Sequence, residues 1–76
     1  PHPVDVAMAL VAEDNDGYFA RYHALAAGAD RNFLRSRVRS GRYVQHTYRV
    51  FSFPGVGRTP RRDLRVALLD AGAGHP

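Results

Sequence analysis

RYHALAAGADRNFLRSRVRSGRYVQHTYRVFSF, residues 21–53, divides into two short helical patterns joined by a tight turn and followed by a strand pair. Arg21 to Ala27 reads as a helix that Gly28 closes as its left-handed C-terminal residue. Asp30 then stands as an N-cap, its carboxylate placed to accept from the free amides of the next turn. A further helix runs from Arg31 to Ser40 and stops at Gly41. Within it Leu34 and Val38 sit four apart and anchor one side, with Phe33 and Arg37 flanking that side and Phe33 half covered, whereas Asn32, Arg35, Ser36 and Arg39 fall on the opposite face. Arg42 to Gln45 and Val50 to Phe53, rich in Tyr, Val and Phe, predict two strands linked by His46-Thr47-Tyr48-Arg49.

The flanks complete the pattern. Val4, Ala7, Met8, Leu10 and Val11 give a helical stripe over Val4 to Asp14, which the turn residues Asp14-Asn15-Asp16-Gly17 end, and Tyr18-Phe19-Ala20 is a short edge strand. After Pro54-Gly55-Val56-Gly57, Thr59 and Pro60 have the form of an N-cap and a proline at the first helical position. Leu64, Ala67, Leu68 and Ala71 recur as a buried stripe, and Gly72 ends that helix. Helix, strand, helix, turn, helix, strand, strand, helix is the order of a winged helix-turn-helix: an α+β fold, mostly helical, with a three-helix core, a wing sheet of two to three strands and a C-terminal fourth helix. The turn supports this, with Ala24 and Gly28 four apart and Leu34 six further on, although the next expected apolar position holds Arg37 and the apolar residue, Val38, comes one later.

Seventy-six residues form one domain, 1–76, with little room for a deep enzymatic pocket beside the core. The chain starts at Pro1 without a methionine and stops just after a helix, so it reads as a piece of a longer protein. With no cysteine it has neither disulfides nor thiolate metal sites, which fits a cytoplasmic location. No apolar run is long enough to span a bilayer. His2, His23, His46 and His75 lack metal-ligand spacing, and Asp14-Asn15-Asp16 lacks the glutamate of a calcium loop. No catalytic constellation, metal or cofactor is expected.

Charge gives the functional direction. Residues 31–65 carry ten of the eleven arginines against one acid, Asp63, a net of +9, whereas residues 1–30 hold Arg21 and five acids, a net of −4. A solvated basic face is one reading of such a block; a surface that meets a polyanion, nucleic acid above all, is the other. Lysine is absent, a choice that suits planar bidentate contacts to phosphate and that a GC-rich coding bias also produces. In the second helix of the pair, Asn32, Arg35 and Ser36 are candidates for base edges, since Arg reads guanine and Asn reads adenine in the major groove, with Arg31 and Arg39 on flanking phosphates. Arg42 or Arg49 is the wing cation for the minor groove or backbone, while His46 and Tyr48 are expected to cover the sheet. Arg61 and Arg62, in the first turn of the last helix where the dipole disfavours cations, suggest a phosphate clamp together with the free amides after Thr59.

From Ala9 to Gly74 the chain resembles the N-terminal winged helix-turn-helix domain of AbiEi-type antitoxins of bacterial type IV toxin–antitoxin systems. The matching text is LVAEDNDGYFARYHALAAGADRNFLRSRVRSGRYVQ, then VFSFPG, then LRVALLDAGAG. Its most telling parts are the arginine-rich helix running into Ser40-Gly41-Arg42-Tyr43-Val44 and the strand at Val50-Phe51. The resemblance implies a transcriptional autoregulator binding inverted repeats of double-stranded DNA, with a separate C-terminal domain acting on a cognate toxin. An isolated monomer is expected to bind weakly, and pairing on a palindrome as a homodimer or cooperative pair to supply specificity. Ala20 departs from the Thr or Ser that usually caps the second helix, and Arg49 from the Gly on which the wing usually turns. From a different class, a module docking an acidic protein such as a toxin has the same charge pattern; RNA binding is weaker, because Phe33 and Tyr48 are too dispersed for a stacking platform.

Overall fold

The computed structural model describes residues 2–72. They form α1 (Pro3–Glu13), β1 (Tyr18–Ala20), α2 (Arg21–Ala26), α3 (Arg31–Arg39), β2 (Val44–Gln45), β3 (Val50–Ser52) and α4 (Pro60–Asp70). The fold is α+β, with four helices and one antiparallel sheet of order β1-β3-β2, as a winged helix-turn-helix requires.

Local chemistry sets most boundaries. The Asp30 carboxylate accepts from the Phe33 amide at 2.7 Å and the Thr59 hydroxyl from the Arg62 amide at 3.1 Å, so α3 and α4 begin where an acceptor meets the free N–H groups of a first turn. At α2 the missing cap of Ala20 is offset from the other direction: the Ala20 amide donates to Nδ1 of His23 at 2.9 Å. Gly28, at φ +105°, makes the turn between α2 and α3. Gly17 is required twice over, because its φ is +97° and an added Cβ would lie 3.0 Å from Cγ2 of Val56.

The sheet has helices on both sides. β1 and β3 pair Tyr18 with Ser52, Phe19 with Phe51 and Ala20 with Val50, so alternation sends Phe19 and Phe51 to one face and Tyr18, Ala20 and Val50 to the other. The first face meets Val4 and Met8 of α1, Ala24 of α2 and Leu34 of α3, with Tyr43 closing an aromatic cluster 5.0 Å from Phe19. The second face meets Leu69 of α4, with Tyr22, Val56 and Val66 packed around it. Burial of each large side chain in these two clusters is worth about 1.5–3 kcal/mol.

Four expectations from sequence are corrected. β2 spans two residues, not Arg42 to Gln45, because the Arg42 and Tyr43 amides both donate to the Arg37 carbonyl, at 3.0 and 3.2 Å, and so close the end of α3 instead of pairing with β3. β3 stops at Ser52, opposite the first residue of β1, leaving Phe53 unpaired. On α4 the stripe Leu64, Ala67, Leu68 and Ala71 faces outward, with Leu64 60% and Leu68 42% exposed. The helix instead lays Leu69, Val66 and the stem of Arg62 on its inner side, since side chains about halfway round from the stripe are the ones that reach Tyr18 and Val50. Leu10 likewise leaves the α1 stripe and is 60% exposed, while Ala12 is buried in its stead.

Candidate nucleic-acid interface

α3 is held from behind. Its Leu34 is buried, and Arg37, on the inner flank, donates to the Asp5 carboxylate of α1 from Nε at 3.1 Å and from an Nη at 2.9 Å. The Tyr43 hydroxyl donates to the same carboxylate at 2.5 Å. Those bonds, the Arg37 pair first, hold the Asp5 carboxyl below its usual range against the opposing effect of burial. Burial and the Asp5 charge push the Tyr43 phenol upward, so it remains a donor. Arg37 also lies 4.3 Å over the Phe33 ring, and Phe33 is half-buried as expected. One of the four α3 arginines therefore fixes the helix to the body.

The other three project outward. Arg31, Arg35 and Arg39 recur every four residues on one ridge, about 6 Å apart along the axis, and all are exposed. With Arg42, just past the helix end, they are the arginines whose side chains have no hydrogen-bond or ion-pair partner among the described residues. Asn32 and Ser36 are exposed along the side of that ridge away from the wing. Like charges at this spacing oppose helix formation by about 0.2–0.5 kcal/mol per pair.

Between the ridge and the sheet lies a groove of about 550 Å³, lined by Arg31, Arg35 and Arg39 on the α3 side and by Gln45 and Tyr48 on the wing side, over Leu34 and Phe51. Gln45 reaches this side because its register partner is Phe51. Arg21 joins the groove. Its Nε donates to the Tyr48 carbonyl at 3.0 Å, its guanidinium lies 4.2 Å from the Tyr48 ring centre, and its amide donates to the Arg49 carbonyl at 2.7 Å. The first residue of α2 thus fixes the wing loop, and Tyr48 stands 64% exposed above it instead of covering the sheet. Sequence reasoning missed Arg21, and only the register that brings the start of α2 beside Arg49 gives it this place. His46 does take the structural position expected of it: Nε2 lies 2.8 Å from the Ser52 hydroxyl, and its ring meets Tyr18 edge-on at 5.1 Å. The Ser52 hydroxyl donates to the Phe53 carbonyl at 2.9 Å, so Nε2 carries the proton and Ser52 accepts it. Burial first, then the Arg58 charge, lowers the His46 pKa.

The remaining candidates stand elsewhere. Arg49 turns to the far end of α4, donating to the Asp70 carbonyl at 3.3 Å. Arg61 pairs with Asp16 at 3.3 Å and Arg62 donates to the Gly57 carbonyl at 3.1 Å. Arg65 also binds Asp16, at 3.0 Å, and Arg58 binds Asp63 at 3.3 Å. Because α4 covers the other face of the sheet, Arg61 and Arg62 do not join the α3 ridge.

Among the described residues no group of three or more His, Asp or Glu is placed to hold a metal ion, and no helix is long and apolar enough to cross a membrane. No family model, curated protein or solved structure matches the chain.

Proposed function

We propose that this domain binds double-stranded DNA, with α3 entering the major groove and the β2–β3 wing lying along the backbone, as the DNA-reading part of a bacterial, cytoplasmic transcriptional regulator of a toxin–antitoxin operon. The observation that carries the binding role is the ridge of Arg31, Arg35 and Arg39, continued by Arg42, in which no carboxylate of the described residues answers any guanidinium. Elsewhere on the same chain arginines find partners, so the ridge is not what a random scatter of arginines produces. A polyanion supplies what is missing. Asn32 and Ser36 beside the ridge, and Gln45 and Tyr48 across the groove, offer hydrogen-bond groups of the kinds that contact base edges and sugars. The operon assignment rests on the resemblance to AbiEi-type antitoxin domains.

The test is fluorescence anisotropy with duplexes of about 20 base pairs, first random and then selected from a randomised pool, across a salt series. Four phosphate contacts predict a slope of log K on log salt of about −3 to −4. A recovered consensus whose affinity falls more than that of a random duplex on Arg35→Ala supports base reading. A pool with no enriched sequence, together with tight binding to an acidic polypeptide, transfers the ridge to protein docking.

A further inference from the structure

The outward side of α4 has no role in the DNA reading, and it is the most regular apolar pattern on the helix. Leu64, Ala67, Leu68 and Ala71 line one side of it in water, opposite the face that Leu69 buries. Two small residues among two leucines let another backbone approach closely.

The charges beside that stripe say what covers it. At 100° per residue, Arg61 and Arg65 fall along one flank and Asp63 and Asp70 along the other. Two copies packed in parallel about a two-fold axis would set the basic flank of each against the acidic flank of its twin. Packed antiparallel, they would set like against like. The pattern is thus complementary to itself in one orientation alone. Arg61, whose side chain is 81% exposed, uses one edge of its guanidinium on Asp16, and Asp63 is half exposed beside Arg58. Both retain hydrogen-bonding capacity for a second partner. We propose that α4 is a homodimerisation surface on which two copies of this chain pair in parallel, the leucine–alanine stripe forming the seam and Arg61 facing Asp63 of the other copy at each rim.

Such a pair is weak by construction. Eleven residues give a seam about 16 Å long, far short of the roughly 800 Å² per partner of a stable complex. A dissociation constant of about 0.1–1 mM is expected. The rim charges set orientation more than affinity. The inference is independent of the DNA reading, because its readouts contain no nucleic acid.

Sedimentation equilibrium from about 10 µM to 1 mM should show a reversible monomer–dimer transition that Leu68→Glu shifts upward by about tenfold or more. Leu68 lies outside both core clusters, so the melting temperature of the monomer serves as the control for folding. Because the chain has no cysteine, orientation is read directly. In a parallel pair Leu64→Cys alone oxidises to a covalent dimer, and so does Leu68→Cys alone. Arg61→Glu should weaken pairing, and adding Asp63→Arg should recover it. A chain that stays monomeric at 1 mM overturns the proposal. So does cross-linking that appears only when Leu64→Cys is mixed with Ala71→Cys, since that is the antiparallel register.

Discussion

α3 and α4 are both arginine-rich helices, and they use their two kinds of side chain in opposite ways. α3 buries Leu34 and sends Arg31, Arg35 and Arg39 into solvent without partners among the described residues. α4 sends Leu64 and Leu68 into solvent and ties Arg61, Arg62 and Arg65 to acceptors on the Asp14–Gly17 turn and the loop before it. Asp16 alone answers two of them, and the Arg65 hydrogen bond first holds its carboxyl below the usual range. Arginine content therefore does not measure how much charge a surface offers a ligand. What counts is how many guanidinium groups are left unanswered among the described residues, and on that measure α3 offers a ligand more free charge than α4 does.

The contrast is broken or sharpened most strongly by comparing multiple substitutions in DNA binding. Replacing Arg31, Arg35 and Arg39 together with Ala should lower affinity for a duplex by about 100- to 1,000-fold near 0.1 M salt and flatten the salt slope by about 2.7. Replacing Arg61 and Arg62 with Ala should change the slope by less than about one. A drop of about two there would carry the duplex across the start of α4 and restore the phosphate clamp that its sequence suggests. The apolar half of the comparison is read by thermal or urea unfolding at low concentration. Leu69→Ala should cost about 2–5 kcal/mol, as buried leucines do, whereas Leu64→Ala should stay within about 0.5 kcal/mol. Equal losses would mean that the outward stripe is packed after all.

Much of this architecture is legible in the residues, for local reasons. Asp30, Thr59 and Pro60 announce helix starts, and Gly28 and Gly41 announce helix ends, because each signal acts within a few residues. The inward face of α4 is not legible. Its outward stripe has the cleaner period, and only the second face of the sheet, with Tyr18, Ala20 and Val50 needing cover, decides that the helix turns Leu69 inward. The partners of the arginines are equally hidden, since Arg65 finds Asp16 across 49 positions and Arg37 finds Asp5 across 32. The DNA-binding candidates on α3 could be read as a face because periodicity places them; their freedom from partners could not.

The Asp5–Arg37 pair gives the next prediction. Asp5→Asn should destabilise the fold by about 1–3 kcal/mol, since it leaves a partly buried guanidinium without its charge partner. In a domain of this size that is roughly 4–8 °C of melting temperature per kcal/mol. The pH dependence has a definite sign. A carboxyl held below its ordinary value in the folded state contributes its full stability above that ordinary value and loses it as pH falls through the depressed one. The wild-type chain should therefore lose more stability than Asp5→Asn between about pH 4 and pH 2. His46 acts at higher pH: its lowered pKa means that protonation favours the unfolded chain, so stability begins to fall below about pH 6.5 in both proteins. An identical acid limb in wild type and variant would remove Asp5 from the account of how α3 is held.

The smallest effect is the most diagnostic, because its sign separates a residue kept for a ligand from one kept for the fold. Arg35 sits between Arg31 and Arg39, four residues from each, with no acid on the ridge to offset either repulsion. Removing it relieves two like-charge pairs at about 0.2–0.5 kcal/mol each and installs the best helix former in an exposed position. Arg35→Ala should thus raise stability by about 0.5–1 kcal/mol at low ionic strength, a gain that shrinks as salt screens the ridge. The same substitution should weaken duplex binding. Arg37→Ala, on the opposite side of the same helix, should do the reverse in the melt and destabilise, because that guanidinium is the tie to α1. If Arg35→Ala instead lowers the melting temperature by an amount that salt does not alter, Arg35 is serving the fold through packing, and the ridge has lost its central member as a site for a polyanion.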